Sequence, residues 1–202
     1  MLLSKPDLIA RINAGLKNPK DHKSLSFSPQ VSLEKLSETQ CSIDLRLAPI
    51  FTVFKQEHHV GSYDIQSAKD IFEAENLWEH HPQDRWTLEP KQFVLTQTLE
   101  TVHLPNDLMG LVEGRSSFAR FGVGVHVTAP KIDPGFNQPI TLELTNHSEA
   151  AWVLKAGEEG IFICQLMLVK LSKPLRKSEI YGSSPADLFV SHATPIPGKK
   201  KK

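Results

Sequence analysis

The stretch GRSSFARFGVGVHVTAPKIDPGFNQPITLELTN, Gly114 to Asn146, holds the pattern on which the fold reading turns. Its last third, Ile140-Thr141-Leu142-Glu143-Leu144-Thr145, alternates strictly. That puts Ile140, Leu142 and Leu144 on one face of a strand and Thr141, Glu143 and Thr145 on the other. Glu143 therefore points away from the core. Asp133-Pro134-Gly135, shortly before it, has the composition of a β-turn, with proline fixing φ and glycine accepting a left-handed backbone. Val123 to Thr128 reads as one more strand, and His126, between Val125 and Val127, as a hydrogen-bonded, half-buried side chain.

Working outward, the same short runs recur. Ser42 to Leu47, Phe51 to Phe54, Phe93 to Leu99 and Ile161 to Lys170 read as strands, with a turn signal at Ala156-Gly157. Only the N-terminus is different. Ser4-Lys5-Pro6-Asp7 has capping-box spacing, and Leu8, Ile9, Ile12 and Leu16 follow at helical intervals until Gly15 and Asn18-Pro19 close the run. Gln66 to Asp84 is polar and reads as a surface insertion or connection. Many short strands with one short N-terminal helix predict a mainly β barrel or sandwich.

With 202 residues the chain suits one domain, and at 40% hydrophobic and 23% charged residues its composition is that of a globular protein. We expect a single domain over 1–202, with 182–202 a C-terminal lid or flexible tail. No apolar run reaches the roughly eighteen residues of a membrane span. Asp7 and Arg11 interrupt the apolar start, so no secretory signal is expected and a cytoplasmic location follows. Zero formal net charge argues against a nucleic-acid or membrane surface. Cys41 and Cys164 each stand alone in apolar runs and read as buried core thiols. The Lys199 to Lys202 run reads as a solvated tail.

Taken singly, the polar residues here have plain structural readings. Glu143 alone would be a solvated strand carboxylate, Asp133 a turn residue, Arg120 a surface cation, and Gly114-Arg115-Ser116-Ser117 a surface turn. Together they form a different set: a guanidinium and two hydroxyls that suit phosphate oxygens, with two carboxylates able to border one pocket. The His58-His59 and His80-His81 pairs are read as surface residues, because neighbouring side chains point apart and no third ligand lies at useful spacing.

GRSSFARFG, HVTA, IDPGF and ITLELTN, in that order, resemble the dCTP deaminase branch of the dUTPase-like superfamily. QCSIDLRL at 40–47, FVLTQTLETVHLPNDLMG at 93–110, ICQL at 163–166 and YGSS from Tyr181 extend the resemblance. It implies a distorted β barrel of the β-clip type, assembled as a homotrimer whose active sites combine subunits. The implied reaction is hydrolysis of dCTP to dUTP and ammonia, supplying dUTP for thymidylate synthesis, with dTTP a candidate feedback inhibitor.

By the same matching, Glu143 is the general acid/base, Ser116 and Arg120 help hold the water and the glutamate, and the carbonyl of Ala129 orients the nucleophile. Asp133 accepts from the sugar 3'-hydroxyl, Phe136 packs near the deoxyribose, and Thr141, Leu142 and Glu143 border the base. Arg115, Ser116 and Ser117 bind phosphate, with Phe118 and Ala119 in the same substrate-binding segment, Gln165 as a further phosphate contact and Tyr181 closing over the nucleotide. Mg²⁺ is expected as the triphosphate's counterion. Zinc is not expected, since the H-x-E and P-C-x-x-C signature of zinc deaminases is missing from the sequence.

Family lids carry a Lys-Tyr and a nearby Gln over the triphosphate, whereas PADLFVSHATPIPGKKKK has no such pair. The tail lysines or His192 are the available substitutes, and extra residues around Glu149 to Glu159 would reshape the pocket edge. Two alternatives stay open. One is a bifunctional enzyme giving dUMP and pyrophosphate, which YGSS resembles while HVTA resembles members that only deaminate. The other is a weakly catalytic, regulatory nucleotide-binding protein.

Overall fold

In the computed structural model, residues 1–18, 24–36, 41–55, 77–184, 187 and 195 are described. Helix α1 (Lys5–Lys17) buries Leu8 and Ile12 on one face. Its capping box is not formed: the Ser4 hydroxyl donates to Asp7 Oδ2 at 2.8 Å instead of accepting a backbone N–H. Strand β1 (Ser26–Ser28) and the single turn α2 (Leu33–Leu36) follow.

The rest is β structure: β2 (Ser42–Arg46), β3 (Ile50–Phe54), β4 (Trp78–Pro82), β5 (Arg85–Leu88), β6 (Phe93–His103) and β7 (Leu108–Gly114). A helical turn α3 (Ser116–Ala119) precedes β8 (Val123–Gly124), β9 (Lys131–Ile132), β10 (Asn137–Asn146), β11 (Trp152–Lys155) and β12 (Phe162–Lys170). One sheet runs β4-β3-β6-β10-β8 with β1 also on β6; a second runs β2-β12-β7-β9; β5 and β11 form a third. The first two meet at the Leu47–Thr98 bridge and do not close into a continuous ring, which is the distorted form of barrel expected.

One hydrophobic core joins these sheets. On β10, Ile140, Leu142 and Leu144 are buried while Thr141, Glu143 and Thr145 alternate outward, as the pattern requires. Each such buried aliphatic contributes about 1.5–3 kcal/mol, so the face Glu143 occupies is fixed by its neighbours. A one-residue slip would expose all three.

Two strand assignments change. Of the run Val123–Thr128, only Val123 and Gly124 pair with β10. Beyond them the carboxylate of Glu143, not a backbone carbonyl, takes the Val127 N–H at 2.7 Å, so the chain leaves the ladder and His126 lies in a loop. Within Gln66–Asp84, residues 66–76 lie outside the described set, but Trp78–Pro82 is a strand on β3, held by an edge-on Phe54–Trp78 contact at 5.3 Å. It is an edge strand, so its outward residues are polar and hide the alternation.

Cys164 is buried, and that burial, with the Glu100 and Asp44 charges, pushes its thiol far above the ordinary range; Cys41 is only half-buried, contrary to expectation. No helix among the described residues is long and apolar enough to cross a membrane.

Candidate active site

Glu143 stands at the junction of β10 with the loop at 125–130. Its N–H donates to the Val125 carbonyl at 2.9 Å, and its Oε2 accepts from the Val127 N–H. One carboxylate oxygen is thus held by backbone, while no hydrogen bond from the described residues reaches Oε1. Ala129 is exposed two residues beyond Val127. His126 is tied to β7 through Glu113, with 3.2 Å between Nε2 and Oε2. Thr141 is exposed on the Glu143 face. The Leu142 side chain is fully buried on the opposite face, which restricts any contact it makes with a base to its backbone.

The segment before this loop is a single helical turn. Phe118 and Ala119 N–H groups donate to the Arg115 carbonyl, and Arg120 N–H to that of Ser116. Ser116, Ser117, Ala119 and Arg120 are exposed, and Phe118 packs partly against the core. Arg115 turns the other way, its NH1 donating to the Phe162 carbonyl at 3.3 Å and its NH2 lying 3.5 Å from Asp44 Oδ2. Gln165 donates to Asp44 Oδ1 at 3.0 Å, so two expected phosphate donors share one carboxylate.

A second group surrounds the Asp133 turn. Phe136 N–H donates to the Asp133 carbonyl at 3.1 Å, and Gly135 takes φ +86°, the left-handed value a type II turn needs at that position. Space also excludes a side chain, because a Cβ on Gly135 would lie 2.7 Å from Ile180 Cβ. The Phe136 ring is buried with its centroid 5.5 Å from that of Tyr181, and Tyr181 N–H donates to the Pro134 carbonyl. Burial, then the Asp187 charge, raise the Tyr181 phenol above its ordinary value, partly offset by its bond to Gln138. Asp133 is paired with Lys131 at 2.8 Å.

Direct contacts group the expected residues as Glu143 with its loop, Asp133 with Phe136 and Tyr181, and Arg115 with Gln165; the end of β7 that leads into Arg115 and the 116–120 turn adjoins the Glu143 loop, through Glu113 and His126. A cavity of about 390 Å³ adjoins the second, and one of about 260 Å³, lined by Asp44, Arg46 and Glu100, adjoins the third. Neither includes Glu143.

Asp44, Arg46 and Glu100 escape the motif reading. The signal for the first two was in SIDLRL, where Asp44 and Arg46 alternate with buried Ile43, Leu45 and Leu47; Glu100, on β6, had none. Glu100 is almost fully buried and accepts from Arg46 N and Nε at 2.8 and 2.7 Å. Of the histidine pairs, His58-His59 lies outside the described residues. His80 is exposed, as the surface reading expects, with its Nδ1 2.8 Å from Thr52 Oγ1, whereas His81 is half-buried against Trp86. Among the described residues no group of three or more His, Cys, Asp or Glu is placed to hold a metal ion.

A family model described as dCTP deaminase-like matches residues 3–171. A protein of Mycobacterium sp. strain KMS named dCTP deaminase, dUMP-forming, is 39% identical over 184 residues, 91% of this chain and 87% of that protein. A protein of Rhodococcus jostii strain RHA1 with the same name is 36% identical over 200 residues, 98% of this chain and 96% of that protein. The crystal structure of 2'-deoxycytidine 5'-triphosphate deaminase from Agrobacterium tumefaciens superposes with a TM-score of 0.59 at 18% identity, over 88% of this chain and 49% of that one. This chain spans about half of that longer chain, and the likeness shows the fold.

Proposed function

The chain belongs to the dCTP deaminase-like family, and from that premise we propose that it is an enzyme that hydrolytically deaminates dCTP. The observation that carries the reading is Glu143: a carboxylate on the outward face of β10, with Oε2 fixed by the Val127 N–H and Oε1 left for proton transfer. Water adds at the cytosine C4 as Glu143 takes its first proton and passes it to the ring N3; the carboxylate then takes the remaining proton from the C4 hydroxyl and gives it to the amino group, which leaves as ammonia while the C4 carbonyl forms. Positioned transfer of this kind contributes roughly a hundred to ten thousandfold.

In this reading Ser116, Arg120 and the Ala129 carbonyl hold the water and the glutamate. Thr141 and the Leu142 backbone border the base, Asp133 accepts from the sugar, and Phe136 and Tyr181 flank it. Arg115, Ser116, Ser117 and Gln165 bind the phosphates of a Mg²⁺-complexed nucleotide. Asp44 orients Arg115 and Gln165 through the contacts above. The protein acts in the cytoplasm as a homotrimer. A site completed by neighbouring subunits belongs to the same reading. Gel filtration should accordingly give about three times the 22.6 kDa chain mass; elution as a monomer at assay concentration would contradict a shared site.

Two products are open to such an enzyme. The motif reading above puts dUTP release first, whereas the names of both relatives favour dUMP. We take dUMP as the product: after deamination, water attacks the α-phosphorus and pyrophosphate leaves. Ion-exchange separation of the products formed from dCTP and Mg²⁺ tests this choice. Equal amounts of dUMP and pyrophosphate are expected, dUTP accumulating alone would return the first reading, and unchanged dCTP would favour a nucleotide-binding role.

A further inference from the structure

Beyond Tyr181 two backbone N–H groups converge on one carboxylate. Asp187 Oδ2 accepts the N–H of Gly182 at 2.9 Å and that of Ser184 at 3.0 Å, and Asp187 N–H donates to the Ser184 carbonyl at 3.0 Å. Gly182, at φ +86°, supplies the left-handed residue the turn needs. On its other side Tyr181 is fastened to the Asp133 turn through the Pro134 carbonyl, the Phe136 ring and Gln138. The same residues, Asp133, Pro134, Tyr181, Ser184 and Asp187, line the 390 Å³ cavity.

We propose that Asp187 is a positioning residue for nucleotide binding: its carboxylate sets the Gly182–Ser184 turn and so fixes Tyr181 beside Asp133 before the substrate arrives. The inference rests on the reading of Asp133 and Tyr181 as nucleotide contacts. Its physical content is preorganisation. A turn ordered during folding removes an entropic cost from the binding step, which lowers KM without touching the proton transfers at Glu143. Both hydrogen bonds fall on a single oxygen, so an asparagine carbonyl can reproduce them and an alanine cannot.

The test compares Asp187→Ala and Asp187→Asn with the wild type, in steady-state kinetics with dCTP and in amide hydrogen exchange of Gly182 and Ser184 in the ligand-free protein. Loss of two charge-assisted bonds should raise KM roughly tenfold in the alanine variant, with kcat within about twofold and faster exchange at both amides. The asparagine variant, which keeps an acceptor without the charge, should recover most of the KM and slow exchange. Unchanged KM in the alanine variant, a loss confined to kcat, or an asparagine variant as impaired as alanine would overturn the proposal. A wild type that does not turn over dCTP would sink the functional reading; unaltered exchange in Asp187→Ala would instead sink the clamp itself.

Discussion

Glu143→Gln is expected to slow ammonia release from dCTP by roughly a hundred to ten thousandfold in kcat, while dCTP still binds within a few-fold of the wild-type affinity. The geometry makes this a clean substitution. The amide oxygen introduced there can still accept the Val127 N–H, so the loop that carries Ala129 keeps its course. The buried Ile140, Leu142 and Leu144 hold the strand in register whatever occupies the outward position. What disappears is the group able to take a proton from water and return it to the leaving ammonia. Ammonia release measured beside calorimetric dCTP binding separates the two effects. Appreciable turnover by the variant would remove Glu143 from its role, and lost binding with lost turnover would make it a structural residue.

Glu100→Gln is expected to have the largest effect on stability. Glu100 has a side chain only 1% exposed, and its two oxygens receive the backbone N–H and the Nε of Arg46, joining β2 to β6. Arg46 is itself 17% exposed and donates onward to the Glu158 carbonyl at 2.8 Å. Removing the charge from one partner leaves the guanidinium uncompensated in a low-dielectric setting, which typically costs about 3–5 kcal/mol. Set against a total stability of about 5–15 kcal/mol for a domain, that is a large fraction, and a chain of this size should lose roughly 10 °C in melting temperature. Thermal melting followed by circular dichroism checks it. A shift of only a degree or two would show that the pair is solvated in solution. Replacing both residues together by apolar side chains should cost less than either single change, since no charge is then left buried without a partner.

How far the sequence could be read depended on whether a residue's neighbours in the chain were also its neighbours in space. The face of Glu143 followed from period-two alternation over six residues, and the Asp133 turn from proline and glycine, because both are local constraints. The Glu100–Arg46 pair joins residues 54 apart in the chain. Alternation shows that Arg46 faces away from Leu45 and Leu47 but gives no partner for it. The strand expected over Val123–Thr128 stopped after Gly124 because a side chain, Glu143, competed for a backbone N–H. Trp78–Pro82 escaped notice because an edge strand carrying Glu79 and His80 outward lacks the hydrophobic beat of a central one. Leu142 was placed beside the base by its motif, yet the alternation that located Glu143 sends the Leu142 side chain into the core.

The most direct test is the stoichiometry of ammonia release from dCTP by the purified chain, with Mg²⁺ present and with or without a zinc-selective chelator such as 1,10-phenanthroline. One ammonia for each dCTP consumed, at a rate the chelator does not change, is the predicted result, because the water is activated by the Glu143 carboxylate. Intact dCTP, or turnover that stops when the chelator is added, would contradict it.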